Sequence, residues 1–417
     1  MKLVTVALKS ALNRKLSLSL TVLSLAISIM LLLGVDKIRK EAKNNFVNTI
    51  SQTDLIVGAR SGPINLLLYS VFRIGNATNN VSWKSYQEIA QLQQVKWSVP
   101  LSLGDSHRGF RVLGTLADYF TYYRYAGDRA LQFESGGVFQ QVYDVVLGAD
   151  VARELTYRRG DKIIVSHGLA STEFSAHGDK PFTVVGILKK TGTPVDRTVH
   201  VPLEGISAIH IDWQSGRRSV VQIDADQAAK MDLRPKEITA FMLGLNNRIA
   251  TFRVQRKINE YASEPLMAII PGATLSTLWF TLGSFEMILL TVSALVVLAG
   301  LAGMLTTVIS SLNERRREMA VFRAIGAHPY QIILLFVLET FFIIIAAALG
   351  VLLLYLLLAV SKPIILNWIG ISLQISPLDV QQWLIVLVIV GIALLSSLIP
   401  GLIAYRRSLQ DGLMIRV

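Results

Sequence analysis

Four stretches of the chain run for about 20 residues or more with almost no charged side chain: residues 16–35, 285–310, 332–360 and 383–404. At about 1.5 Å of rise per residue, each is long enough as a helix to cross roughly 30 Å of hydrocarbon. The first follows a basic stretch in the manner of a signal peptide. Its apolar run is long, however, and no small-x-small cleavage site precedes Asp36, so an uncleaved anchor is expected. Residues 36–284 have a different rhythm. Residues 54–59, 96–103, 110–114, 162–167, 182–188 and 238–245 are short, β-branched or apolar, and bounded by Gly, Pro, Asp or Ser, which predicts strands. Residues 82–92 and 247–262 repeat their apolar positions at helical spacing. The pattern predicts an α-helical membrane protein with four transmembrane helices plus a large α+β extracytoplasmic domain inserted between helices 1 and 2. Within that domain a strand-rich middle, about 115–235, is set into a half built from both ends of the insert.

Composition agrees and narrows the chemistry. With 52% hydrophobic and 17% charged residues, the chain is neither a soluble nor a disordered protein. It has no cysteine, which removes disulfides, Cys-based zinc sites, iron–sulfur clusters and thiol catalysis. The net charge of +12 suggests nucleic acid until the charges are located. Residues 1–15 carry Lys2, Lys9, Arg14 and Lys15, residues 311–331 carry Arg315, Arg316, Arg317 and Arg323, and residues 405–417 carry Arg406, Arg407 and Arg416. The intervening segment 361–382 has only Lys362. Both termini and the 311–331 loop are therefore expected on the cytoplasmic side. The insert 36–284 mixes 29 Lys and Arg with 23 Asp and Glu, so no nucleic-acid partner is needed to explain the charge.

Three segments stand out for what they connect. No Gly or Pro follows the first apolar run until Gly58, so its helix is expected to continue through 36–50 as a stalk, matched by an approach at 275–284. Residues 2–14 gather Leu3, Val4, Ala7, Leu8, Ala11 and Leu12 on one helical stripe opposite Lys2, Lys9, Asn13 and Arg14. That suits a cytoplasmic amphipathic helix at the lipid interface or simply an orienting basic flank. Residues 313–327 read NERRREMAVFRAIGA, with Met319, Phe322 and Ile325 spaced along one helical stripe. Glu314, Arg315, Arg316, Arg317 and Glu318 precede the stripe, Arg323 lies within it, and Gly326 offers a helix stop. By charge and periodicity alone this is either a docking helix for a cytoplasmic partner or a positive-inside anchor.

The segment NERRREMAVFRAIGAHPYQI resembles the cytoplasmic loop of the MacB/FtsX-type (type VII) permeases of ABC transporters. The N-terminal ALKSALNRKLSLSLTVLSLAISIMLLLGV is similar to that family's first helix, with Asn13, Arg14 and Lys15 in place of its usual R-N-K run. VVLGADVARELTYRRGDKIIV followed by FTVVGIL is similar to its extracytoplasmic domain, and Leu338-Glu339-Thr340 to its third span. The resemblance implies a permease subunit in a bacterial inner membrane, working as a homodimer or beside a similar permease, with an ABC ATPase subunit docked on Glu314 to Gly326. A periplasmic adaptor or binding protein is a further partner it allows. It implies export or extraction of a substrate such as a lipoprotein, a peptide or a small hydrophobic molecule, driven by motion of the periplasmic domain. Alternatives are an FtsX-like transducer that activates a periplasmic partner and a transporter component linked to metal homeostasis.

The chain contains no GxxxxGK[ST], GxSxG or HExxH, so no cofactor is expected on it, and ATP and Mg are expected on the partner ATPase. Glu339 falls inside the third apolar run, where an ionised carboxylate costs ~2.5 kcal/mol or more, and interhelical hydrogen bonding is its expected role ahead of a proton or substrate site. Ala299, Gly300 and Gly303 suit close helix contact, within one chain or between two. His107, His167, His177, His200 and His210 are scattered without helical metal-site spacing. Residues 64–72, including Leu66, Leu67, Leu68 and Phe72, form an apolar run beside a Gly-Pro turn. Either they are buried between subdomains or they expose a patch for hydrophobic cargo or a partner.

Overall fold

The computed structural model describes residues 15–47, 49–167, 179–214, 217–218, 223–324, 328, 331, 334, 341–368 and 376–411. The described residues group into two compact units. One draws on 42–282 and 365–372, the other on 1–41, 283–364 and 373–417.

The first unit is built on a twisted mixed sheet. Its strands are β1 (Leu55–Ala59), β2 (Val95–His107), β3 (Phe110–Thr115), β4 (Phe133–Gly136), β5 (Asp144–Leu147), β6 (Phe182–Leu188), β7 (Thr198–Pro202), β8 (Ala240–Leu245) and β9 (Leu266–Ile269). They lie in the order β9-β1-β8-β2-β3-β7-β5-β6-β4, with two short strands paired at its side. The 13-residue β2 joins the halves. Its first part pairs antiparallel with β8, Leu101 opposite Ala240. From Ser102 to His107 it pairs antiparallel with β3, across an irregularity between Leu103 and Ser106. The strand-rich middle thus grows from the same sheet as the outer half.

Side-chain alternation explains why helices cover both faces. Along β1, Leu55 and Val57 enter one core with Phe241 and Leu243 of β8, closed by Trp83–Ala90 and Thr251–Asn259. Ile56 and Met242 point into the other core with Leu66, Leu67, Tyr69, Val99 and Leu101. The predicted helix at 82–92 is Trp83–Ala90, capped by the Ser82 hydroxyl, which accepts from Ser85 N–H at 3.2 Å.

Long helices make up the second unit, three of them extending past its bounds through residues 42–47, 271–282 and 365–368 of the first. Helix α1 (Lys15–Val47) runs 33 residues, past the first apolar stretch as its uninterrupted sequence predicts. Helix α2 (Pro271–Ala324) starts at a proline, whose missing N–H costs nothing in a first turn, and runs 54 residues. Helix α3 (Phe341–Trp368) and helix α4 (Val380–Asp411) follow. Among the described residues, three stretches are long and apolar enough to cross a membrane: Lys15–Glu41, Gly283–Thr307 and Ile344–Lys362. That is three against the four expected; the fourth expected run, residues 383–404, lies within α4, whose described apolar stretch is Val380–Ser396.

Glycine lets these helices approach. A Cβ at Gly350 of α3 would lie 2.7 Å from the Ala26 carbonyl oxygen of α1, and one at Gly300 of α2 would lie 3.1 Å from Ser28 Oγ. Gly300 therefore packs inside the chain, whereas Gly303 faces open space.

Candidate functional site

The arginine-rich segment occupies the end of α2. Glu314, Arg315, Arg316, Arg317, Glu318, Met319, Phe322 and Arg323 all fall on helical backbone that reaches Ala324. Ile325, Gly326 and Glu339 lie outside the described residues.

The apolar run beside the Gly-Pro turn does not form a surface patch. Leu66 and Leu67 are 0% and 1% exposed, Phe72 is buried, and Leu68 packs against the same core as Ile56 and Met242. The segment folds as a helical turn, Pro63–Leu67, continued by a wider π turn, Leu68–Phe72. Its apolar side chains are satisfied by the sheet, which favours the burial alternative over a hydrophobic cargo patch.

The side chains of His107 and His200 are buried within the sheet unit. His107 places Nδ1 2.6 Å from the Ile164 carbonyl and Nε2 3.0 Å from the Tyr157 hydroxyl. Burial, more than the nearby Arg108, holds its pKa below the usual range. His200 is fully buried in β7 against Tyr119 and Phe120. No group of three or more His, Asp or Glu suited to a metal ion occurs among the described residues. His177 lies outside them, as does the side chain of His167.

What sequence reasoning missed is a polar cluster within the helical unit, where the first apolar run ends. The Asp36 side chain is only 4% exposed and accepts from Arg39 at 3.1 Å, Lys40 at 2.9 Å and Gln382 Nε2 at 3.0 Å. Lys40 also bonds Asp379 at 2.7 Å, and Arg39 bonds Glu286 at 3.3 Å. Lys37 is buried and donates to the Ser376 carbonyl at 2.6 Å, with its ammonium over the Tyr355 ring. Asp379 in turn caps α4 by accepting from Gln382 N–H at 2.7 Å. Lys40 and the cap hold the Asp379 carboxyl below its usual range. The cluster ties α1, α2, α3 and the start of α4 together with charges that burial would otherwise penalise. Its signal was the run DKIRK against lone acids at 286 and 379, visible only once the helices are side by side.

Comparison with known proteins bears on the whole chain. Residues 18–241 match the family described as the MacB-like periplasmic core domain, more than half of the 417 residues. Residues 290–409 match the FtsX-like permease C-terminal family. An uncharacterised ABC transporter permease of Methanocaldococcus jannaschii is 22% identical over 238 residues, 54% of this chain and 51% of that protein. The chain thus spans about half the length of the curated relative it matches. Among solved structures, the periplasmic region of MacB from Actinobacillus actinomycetemcomitans aligns with TM-score 0.34 and 9% identity, covering 56% of this chain and 95% of that one. The extracellular domain of the noncanonic ABC-type transporter YknZ from Gram-positive bacteria aligns with TM-score 0.31 and 11% identity, covering 52% and 98%.

Proposed function

We propose that this chain, which belongs to the MacB/FtsX-type permease family of ABC transporters, is the membrane subunit of a mechanotransmission complex. A separate cytoplasmic ATPase, carrying the ATP and Mg, engages the arginine-rich end of α2. Its nucleotide-driven closure is passed along the helices to the periplasmic domain, which drives export or extraction of a lipoprotein, a peptide or a small hydrophobic molecule. A second copy of the chain or a similar permease completes the membrane part. In this reading the chain has four spans in a bacterial inner membrane, the fourth contributed by α4, and both termini are cytoplasmic.

The observation that carries the proposal is the continuity of α2. It begins directly after β9 and runs unbroken for 54 residues into the arginine-rich segment. At about 1.5 Å per residue that is roughly 80 Å, well over twice the hydrocarbon thickness. One hydrogen-bonded rod therefore contains a membrane-crossing stretch and the docking stripe, so a push on the stripe is not lost in a flexible loop. The chain lacks a phosphate-cradling GxxxxGK[ST] of its own, which fits division of labour with an ATPase.

The test is Phe322→Asp, which sets a charge on the docking stripe. The variant should insert in the membrane normally and lose copurification with its ATPase. Undiminished copurification would remove the basis for assigning the docking role to this segment.

A further inference from the structure

The sheet unit contains a cleft of about 350 Å³ whose lining includes Arg73, Arg111, Asn76, Asn80 and Tyr69, and no carboxylate. Arginines elsewhere in this unit are commonly paired with acids: Arg153 with Asp150, Arg197 with Glu154, Arg234 with Asp232. Arg73 and Arg111 have no carboxylate partner among the described residues. Each guanidinium is instead steered by neutral oxygens. Arg73 donates to the Ser70 carbonyl and, at 3.5 Å, to the Tyr119 hydroxyl, while Arg111 donates to the Gly75 carbonyl at 3.0 Å. A guanidinium has five N–H donors, so both keep donors to spare, and Arg73 Nε is buried without any hydrogen-bond partner.

The backbone spends conformational energy to place Arg73. It sits at φ 60°, in the left-handed region, closing the π turn, and Ile74 N–H reaches back to the Leu68 carbonyl at 3.1 Å. Glycine occupies such a cap with least strain, and a side chain there is unfavourable. Gly75 follows at φ 78°, which turns its carbonyl to Arg111. Gly104, within β2, leaves open space where a Cβ would stand. Asn80 Nδ2 is held by Glu237 at 2.6 Å, which fixes the far wall of the cleft with a carboxylate outside its lining.

We propose that this cleft binds a phosphate group carried as a monoester or as free phosphate. Two fixed guanidinium charges match the near-dianion of a phosphomonoester at neutral pH, and planar N–H pairs match its oxygens. A lone carboxylate would leave one of the two cations uncompensated. The volume is at the lower end for small-molecule sites and admits an organic group attached to the phosphate. The proposal stands on the domain's own geometry and is independent of ATPase coupling, so either can fail alone.

Titration of the purified full-length chain with inorganic phosphate, followed by calorimetry, tests it. Saturable binding is expected, weakened at least tenfold by Arg111→Gln and similarly by Arg73→Gln. Melting in phosphate-free buffer should be unchanged for Arg111→Gln, which separates a binding loss from misfolding if Arg73→Gln disturbs the turn it closes. Competition by glycerol 3-phosphate alone would assign a soluble monoester, and competition by phosphatidic acid in nanodiscs a lipid one. Absence of saturable binding, equal binding by Arg111→Gln, or acetate binding as tightly as phosphate would overturn the proposal.

Discussion

His200 shows how the sheet sets the chemistry of a single side chain. Its ring lies 5.5 Å from the Tyr119 ring centroid, its Nδ1 is 3.3 Å from the Val146 carbonyl, and its Nε2 is buried without a hydrogen-bond partner. Burial, and then the Arg73 charge, pushes its pKa down to about 3. The unfolded chain protonates such a histidine near pH 6.5. Between these values the unfolded state holds the extra proton, so this group's contribution to stability falls as pH drops, by about 1.4 kcal/mol per pH unit. His200→Phe should therefore flatten the acid limb of melting temperature against pH between about 6 and 4 for the full chain in detergent. An equally steep limb in the variant would mean that His200 does not carry it. The same Arg73 that depresses His200 faces the phosphate cleft, yet nothing in the local sequence marks it. Arg73 and Arg111 are brought together by a π turn and a strand, and that juxtaposition is created by folding.

Elements were legible where local rules act without competition. The α1 extension to Val47 follows from the lack of Gly or Pro after Asp36, and β1 and β6 follow from short β-branched and apolar runs between turn residues. The strand Thr198–Pro202 carries little local signal because His200 and Pro202 break what would otherwise be an apolar run, although all five residues are buried. Residues 64–72 were ambiguous for a different reason: an apolar run reads the same whether a sheet covers it or water does. Helix contacts give a prediction at this scale. Gly350→Ala brings a Cβ to 2.7 Å from a backbone oxygen of α1, which cannot move aside like a side chain, whereas Gly303→Ala meets nothing within 4 Å. The first should lower stability by about 1–3 kcal/mol and the second should leave it unchanged, as read by thermal unfolding in detergent. Equal melting of the two variants would contradict the packing of α1 on α3.

For the whole molecule, the family resemblance was readable in a few local stretches, NERRREMAVFRAIGAHPYQI above all, because its order of charges and apolar residues is written in consecutive positions. The polar cluster around Asp36 was not, since Asp36, Glu286 and Asp379 meet only after the helices assemble. The central claim is that ATP turnover by a partner moves the periplasmic domain through these helices. The cysteine-free chain permits a direct measurement. Spin labels at Phe252→Cys and Leu387→Cys, positions 74% and 67% exposed, report an intramolecular distance by pulsed electron paramagnetic resonance in the complex reconstituted with its ATPase. The account predicts that trapping the ATPase with ATP and vanadate shifts this distance distribution and that Phe322→Asp abolishes the shift. Superimposable distributions with and without trapped nucleotide would contradict it.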